Sequence, residues 1–286
     1  MVLSVRSVKG LALPAVLAAL FAAPGCVDII GSDLNRYVER DEKHFTVSGK
    51  PDVTLITFDG RIEIRPWDKA DVEVVVEKRG RDHEDVAQID VKAQQNGNHL
   101  EITVTEPRRE RNGFNFHINN RSATLIVSVP AASDVSARSG DGSIDIERIA
   151  GHVQLRSGDG SIRGRELSGD VEANTGDGSI RLDGRLTSLR VHTGDGSVTI
   201  RADAGSSTDN DWDIVTGDGS VTLEVPDGFG AEIDAHTGDG GIHMRDVTLT
   251  NVTGTIQKNT LRGRLGDGGK ALRVRTGDGS ITLRRN

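Results

Sequence analysis

Eight Gly-Asp-Gly tripeptides, beginning at residues 140, 158, 176, 194, 217, 238, 266 and 277, carry the side chains whose type and spacing could do chemistry. If successive copies stack, their Asp side chains stand about 5 Å apart, the separation used by the two carboxylates of retaining glycosidases. Such catalysis needs one protonated and one ionised carboxylate in different environments, and a ladder of equivalent Asp residues supplies no such distinction. A carboxylate ladder also suits Ca²⁺, which takes carboxylate and carbonyl oxygens, but calcium-binding repeats use a Gly-Gly-x-Gly-x-Asp nonapeptide that is absent here. Arg138, Arg156, His192, His236 and Arg275 precede the tripeptides by two residues and are expected to neutralise the ladder without metal. The plainest role for Asp141, Asp159, Asp177, Asp195, Asp218, Asp239 and Asp278 is structural. Asp bonds its own turn amides, and the flanking Gly residues are expected to supply positive φ. His236 and His243 flank Asp239 and suggest a zinc or copper site, but no fourth ligand is apparent and two exposed imidazoles are the simpler reading. There is no nucleophile elbow, phosphate-binding loop or dinucleotide fingerprint, so no catalytic residue and no cofactor is assigned.

The elements that hold these turns can be read from the columns around them. Apolar pairs two residues apart precede each copy: Val135 and Ala137, Val153 and Leu155, Val171 and Ala173, Leu189 and Val191, Trp212 and Ile214, Ile233 and Ala235, Leu272 and Val274. Ile144, Ile162, Ile180, Val198, Val221, Ile242 and Ile281 follow, with a second apolar residue two further on except at Gly164. Alternation on both sides of a Gly-rich turn means half-buried strands, and the fold class is all-β. Two architectures fit. In a hairpin meander, Asp-Gly sits at each tip and Thr193 faces Val198. In a solenoid of about 18-residue repeats, each Gly-Asp-Gly is a corner and like residues stack on like. The recurrence of one residue type per column favours the solenoid, and the irregular steps, with the 204–212 and 245–270 insertions, are where a loop would carry any ligand specificity. A core short of aromatic residues, at 3% of the chain, reads as an aliphatic ladder too narrow for rings.

Upstream, residues 47–130 alternate in the same way, and Thr57-Phe58-Asp59-Gly60-Arg61-Ile62 is in register as a degenerate first repeat; residues 131–286 form the regular repeat region. Arg79 to Glu84 and Pro107 to Asn120 read as loops between strands, with Phe114 and Phe116 packing over the end of the stack. Residues 1–25 read as a signal peptide: Arg6 and Lys9, then an apolar run over 11–23 that rises about 20 Å as a helix and is too short to span a bilayer. The only Cys, Cys26, follows Gly25 and resembles the lipidated first residue of a bacterial lipoprotein, with residues 26–46 as its tether. A single Cys excludes a disulfide framework. A net charge of −8 opposes phosphate binding, so nucleic acid is not an expected partner.

The anchor, Asp59-Gly60-Arg61-Ile62 with Trp67, the Val129-Pro130 step and the repeated (Ser/Thr)-Gly-Asp-Gly-Ser-(Ile/Val) block together resemble the bacterial DUF4097 family of adhesin-like proteins over about residues 45–286. The resemblance implies a right-handed β-helix-like solenoid at the cell envelope and no particular chemistry. The expectation is a non-enzymatic lipoprotein, outer-membrane or periplasm-facing. It is attached to the membrane through lipid on Cys26 and binds a glycan or an envelope protein. A polysaccharide-acting enzyme and a calcium-stabilised repeat protein are the alternatives.

Overall fold

The computed structural model describes residues 28–29, 37–106, 121–252 and 259–286. The signal segment, Cys26, Phe114 and Phe116 lie outside the described residues. Nearly every alternating segment forms a strand, with apolar positions buried and polar ones facing out, as in Asp52–Thr57, Ser122–Pro130 and Val221–Val225. The one helix among the described residues, His83–Ala87, is capped by Asp82, whose carboxylate accepts from the Asp85 amide at 2.9 Å. It replaces part of the loop expected over Arg79 to Glu84, and Arg79 itself lies within the strand Asp71–Gly80.

The repeats pair in parallel and in register. On one side of the corner the partners run Val53, Val135, Val153, Val171, Leu189, Trp212, Leu272 and Ile233. On the other they run Ile62, Ile144, Ile162, Ile180, Val198, Val221, Ile281 and Ile242. Each column is a continuous ladder at the strand spacing of about 4.8 Å, and all but Ile242 of these residues are buried. Parallel register excludes the meander, in which neighbouring strands are antiparallel and Thr193 faces Val198. The molecule is a β-solenoid. Gly164, the gap in the second apolar column, is filled by Leu167 of its own coil and Leu182 of the next: a Cβ there would meet Leu167 Cδ1 at 2.6 Å and Leu182 Cδ2 at 2.8 Å. Asp59-Gly60-Arg61-Ile62 is a true corner, stacked on Ser139 to Ile144.

Stack order departs from sequence order at both ends. The coil of Asp52–Thr57 and Ile62–Trp67 lies between Asp134–Ser139 with Ile144–Glu147 on one side and His99–Thr105 with Ser122–Pro130 on the other. At the far end, Ala271–Thr276 and Ile281–Arg285 insert between Trp212–Thr216 with Val221–Val225 and Ala231–Thr237 with Ile242–Arg245. The long step from Gly238 to Gly277 is therefore a chain excursion rather than two coils. Its middle forms Leu249–Thr250 and Thr260–Leu265, which cap Ala231–Thr237 in antiparallel fashion. The Gly-Asp-Gly at 266 turns the chain out of that cap and is not a rung: Gly266 and Gly268 have φ of +56° and +83°, unlike the glycines of the other seven Gly-Asp-Gly blocks.

Two further expectations are corrected. Tyr37–Thr46, placed in the tether, is a ten-residue strand paired antiparallel along Asp71–Gly80. Trp212 is wholly buried and packs on Phe229 with ring centroids 5.1 Å apart, so the core does accept rings where the 23-residue step lengthens the coil. The insertions are tied to the solenoid. Ser206 and Thr208 are buried and bond to Gly184 O and Gly230 O, while Val247 and Leu249 pack on the core.

Candidate functional site

The corners are built from close backbone approach. From Gly158 onward, the amide of the first Gly in each corner donates to the carbonyl of the first Gly one coil away, as Gly176 does to Gly158 and Gly194 to Gly176, whereas Gly140 donates to Thr57 O. A Cβ on the second Gly would stand 2.2 Å from the carbonyl oxygen below it at both Gly160 and Gly178. None of the corner glycines from Gly140 onward in these seven blocks lies in the positive-φ region, so the expectation that they supply positive φ is corrected. Gly is required because two main chains cross with no room for a side chain.

The Ser or Thr that opens each block closes the corner. Thr193 Oγ1 donates to Gly178 O at 2.9 Å, Thr216 to Gly196 O at 2.9 Å and Thr276 to Gly219 O at 2.8 Å. The same oxygens of Thr216 and Thr276 accept from their own Gly219 and Gly279 amides. These hydroxyls, buried and satisfied on both sides, are structural staples. The recurrence of Ser/Thr at this position was the signal for the role, but it shows itself only once the coils are stacked.

The Asp side chains project outward. In stack order they run Asp141, Asp159, Asp177, Asp195, Asp218, Asp278 and Asp239, all exposed, with Asp59 one rung before Asp141. Partial burial and the neighbouring Asp141 charge push the Asp59 carboxyl above its ordinary range. Among the described residues, none of the seven later carboxylates has a hydrogen bond or ion-pair partner; Asp141, Asp159, Asp177, Asp195 and Asp218 lean toward the first Gly of the next coil. Three members of the basic column expected to neutralise them are engaged elsewhere. Arg156 binds Glu172 at 2.8 Å, Arg275 binds Asp234 at 3.1 Å, and His236 meets the Thr260 hydroxyl at 3.1 Å.

The corner edge is thus a strip of three columns. Carboxylates run along the ridge; Ser143, Ser161, Ser179, Ser197, Ser220 and Ser280 lie on one flank; Arg138, Arg156, Asn174 and His192 lie on the other. A depression of about 410 Å³ opens on the basic flank, lined by Arg138, Asp141, Arg156 and Asn174. The seven rungs from Asp141 onward are alike in exposure, and the strip they form offers multivalent hydrogen bonding and charge. His236, His243 and Asp239 are not brought together: the two imidazoles lie on strands either side of the corner.

One buried polar cluster escaped the sequence reading. Arg121 is buried beside Asp85, with Nη2 to Oδ1 at 2.7 Å, and reaches Glu106 at 2.9 Å, while Arg81 holds the other Asp85 oxygen at 2.6 Å. The two guanidiniums hold the Asp85 carboxyl far below the usual carboxylate range. Nothing in the local sequence marks Arg121 as different from the solvated arginines near it.

With this geometry in place, comparison with known proteins is direct. The Toastrack DUF4097 family model matches residues 54–284. The chain belongs to this family. The match takes in every Gly-Asp-Gly corner and begins inside the degenerate first repeat. No curated protein matches. Among solved structures, a protein of Clostridium sporogenes provisionally described as a cell adhesion protein is similar at 15% identity and a TM-score of 0.41, covering 86% of this chain and 100% of its own. A provisionally described adhesin of Bacteroides fragilis gives 13% identity and 0.41, covering 86% and 97%. A protein of Parabacteroides distasonis provisionally described as lipid binding gives 15% and 0.33, covering 85% and 96%.

Proposed function

We propose that this Toastrack protein is a non-enzymatic component of the bacterial cell envelope, anchored through lipid on Cys26, whose corner strip binds an extended glycan. The observation that carries this reading is the equivalence of the seven exposed turn carboxylates, flanked by a hydroxyl column and a partly basic column. A repeating strip matches a repeating ligand rung by rung. It offers no distinguished acid and base for turnover.

The test incubates the full chain with a panel of cell-wall and plant glycans, measuring retention and product release together. Retention without product is expected, falling in steps as Asp159, Asp177 and Asp195 are changed to Asn one, two and three at a time. Product release abolished by one Asp→Asn change would assign the alternative, a polysaccharide-acting enzyme. Retention of an envelope protein and of no glycan would replace the ligand class. For the anchor, Cys26→Ser is expected to move the protein from the membrane fraction to the soluble one; unchanged partition refutes lipidation. That the seven carboxylates have no hydrogen-bond or ion-pair partner among the described residues favours a second reading, stabilisation by Ca²⁺. A melting temperature indifferent to millimolar Ca²⁺ and to chelator removes it.

A further inference from the structure

Away from the corner strip, four ionisable side chains meet where the strand Tyr37–Thr46 joins the sheet. It pairs antiparallel with Asp71–Gly80, placing His44 directly opposite Glu73 and Thr46 opposite Asp71. The period of two puts Glu42 on the face of His44, and Asp71 on the face of Glu73. Val72 and Val74 point the other way into the core, so these backbone positions are fixed by packing. His44 Nε2 lies 2.9 Å from Glu42 Oε1 and 3.7 Å from Glu73 Oε2, and donor atoms of the three residues all lie within 4.8 Å of one another.

The imidazole is oriented as well as placed. It stacks on Trp67 with centroids 6.4 Å apart and planes 18° from parallel, and the Trp67 indole N–H donates to Asp71 O at 2.8 Å. The other ring nitrogen, Nδ1, faces Asp71 Oδ2 at 3.9 Å, while Asp71 Oδ1 is buried without a hydrogen-bond partner. One ring nitrogen directed at two carboxylates and the other at a third is the carboxylate–histidine–metal arrangement, in which the outer carboxylate sets the tautomer and basicity of the ligand. Ligand atoms about 2.0–2.2 Å from a tetrahedral metal are separated by about 3.3 Å, between the two distances measured here. Three carboxylates around one imidazole also leave an excess of negative charge. Lys69 is engaged over the Trp67 ring at 4.3 Å.

We propose that Glu42, His44 and Glu73 form a binding site for one divalent transition-metal ion of the zinc class, with Asp71 as the positioning residue behind His44. The imidazole donor selects against Mg²⁺ and Ca²⁺, and three protein ligands leave a coordination position open to water or to a donor from a partner. The ion would tie the strand that leads in from the N-terminal segment to the solenoid.

The probes are Zn²⁺ by calorimetry and Co²⁺ by visible absorption, on the full chain. One equivalent is expected to bind, with a Co²⁺ d–d spectrum that excess Zn²⁺ erases and millimolar Ca²⁺ does not. His44→Gln should abolish the spectrum and Glu42→Gln should weaken binding. Asp71→Asn should lower affinity on the order of 10–100-fold. His236→Gln should change nothing. Glu42 and His44 are exposed, and superimposable metal-free melting curves show that the variants fold. Equal Co²⁺ spectra in wild type and His44→Gln, or no binding at micromolar metal, overturn the proposal and leave His44 an ordinary ion-pair partner of its carboxylates.

Discussion

At the scale of single residues, the corner glycines are irreplaceable for a reason that their sequence context disguises. Asp and Gly together suggest a turn requiring positive φ, whereas the second Gly of each corner is constrained by the carbonyl of the next coil. Gly178→Ala would set a methyl 2.2 Å from Gly160 O, with main chain on both sides and no flexible side chain to yield. The expected cost is about 3 kcal/mol or more, at the top of the overpacking range, read as a fall in the denaturation midpoint. Gly97→Ala is the control: its φ is +60° but nothing lies within 4 Å, and the cost there is about 1 kcal/mol. A midpoint shift at residue 178 no larger than at 97 would refute the crossing argument. The Asp85 cluster makes a second residue-level prediction. Its depressed pKa means that the carboxylate contributes stability above the unfolded value of about 3.9, and that this is lost as pH falls through the folded value. Asp85→Asn should therefore melt several degrees below wild type at pH 7, with the gap narrowing only below about pH 4. A gap that closes between pH 7 and 5 would place the linkage in another group.

At the scale of elements, a corner is a cooperative unit of two main-chain crossings and one hydroxyl. Thr193 is fully buried, and its Oγ1 satisfies Gly178 O in the adjoining coil. Thr193→Val keeps the shape and removes the donor, leaving a buried carbonyl short of a partner, at an expected cost of about 1–3 kcal/mol. Thr193→Ser should cost less, because Ser139 and Ser157 make the same bond to Gly60 O and Gly142 O in their own coils. Equal losses in the two variants would assign the effect to packing. Strands, columns and register were legible here because parallel stacking forces like residues into line, and a half-buried strand writes its faces with period two. The strand Tyr37–Thr46 was not legible: at the edge its outward face is charged, and a sequence such as Glu-Arg-Asp-Glu-Lys-His looks like a solvated linker until its partner Asp71–Gly80 is known. Trp212 was legible as a column member but not as a fit, since room for its ring depends on Phe229, seventeen positions away.

At the scale of the whole molecule, chain order and stack order coincide only in the middle. Periodicity identifies which segments are coils but not which coil lies against which, because every coil offers the same ladder to either neighbour. The order is decided where the chain leaves the repeat, in the segments after Arg245 and between Trp67 and Asp134. The consequence is that the last sixteen residues, 271–286, are interior. Leu272 is fully buried between Trp212 and Ile233, and Ile281 lies between Val221 and Ile242. In a solenoid wound in sequence order, removing the final coil shortens the stack and exposes the next one. Here the same truncation opens a slot inside it, stripping paired edges from four strands and uncovering the Trp212 layer. A chain ending at residue 270 should therefore lose its cooperative melting transition or precipitate. In the intact protein, amides of Ala271–Thr276 should exchange as slowly as those of Trp212–Thr216 and more slowly than those of Ile242–Arg245, whose strand pairs on one edge among the described residues. Protection that instead declines steadily toward Asn286, together with a soluble and cooperative truncated chain, would restore sequence order to the stack.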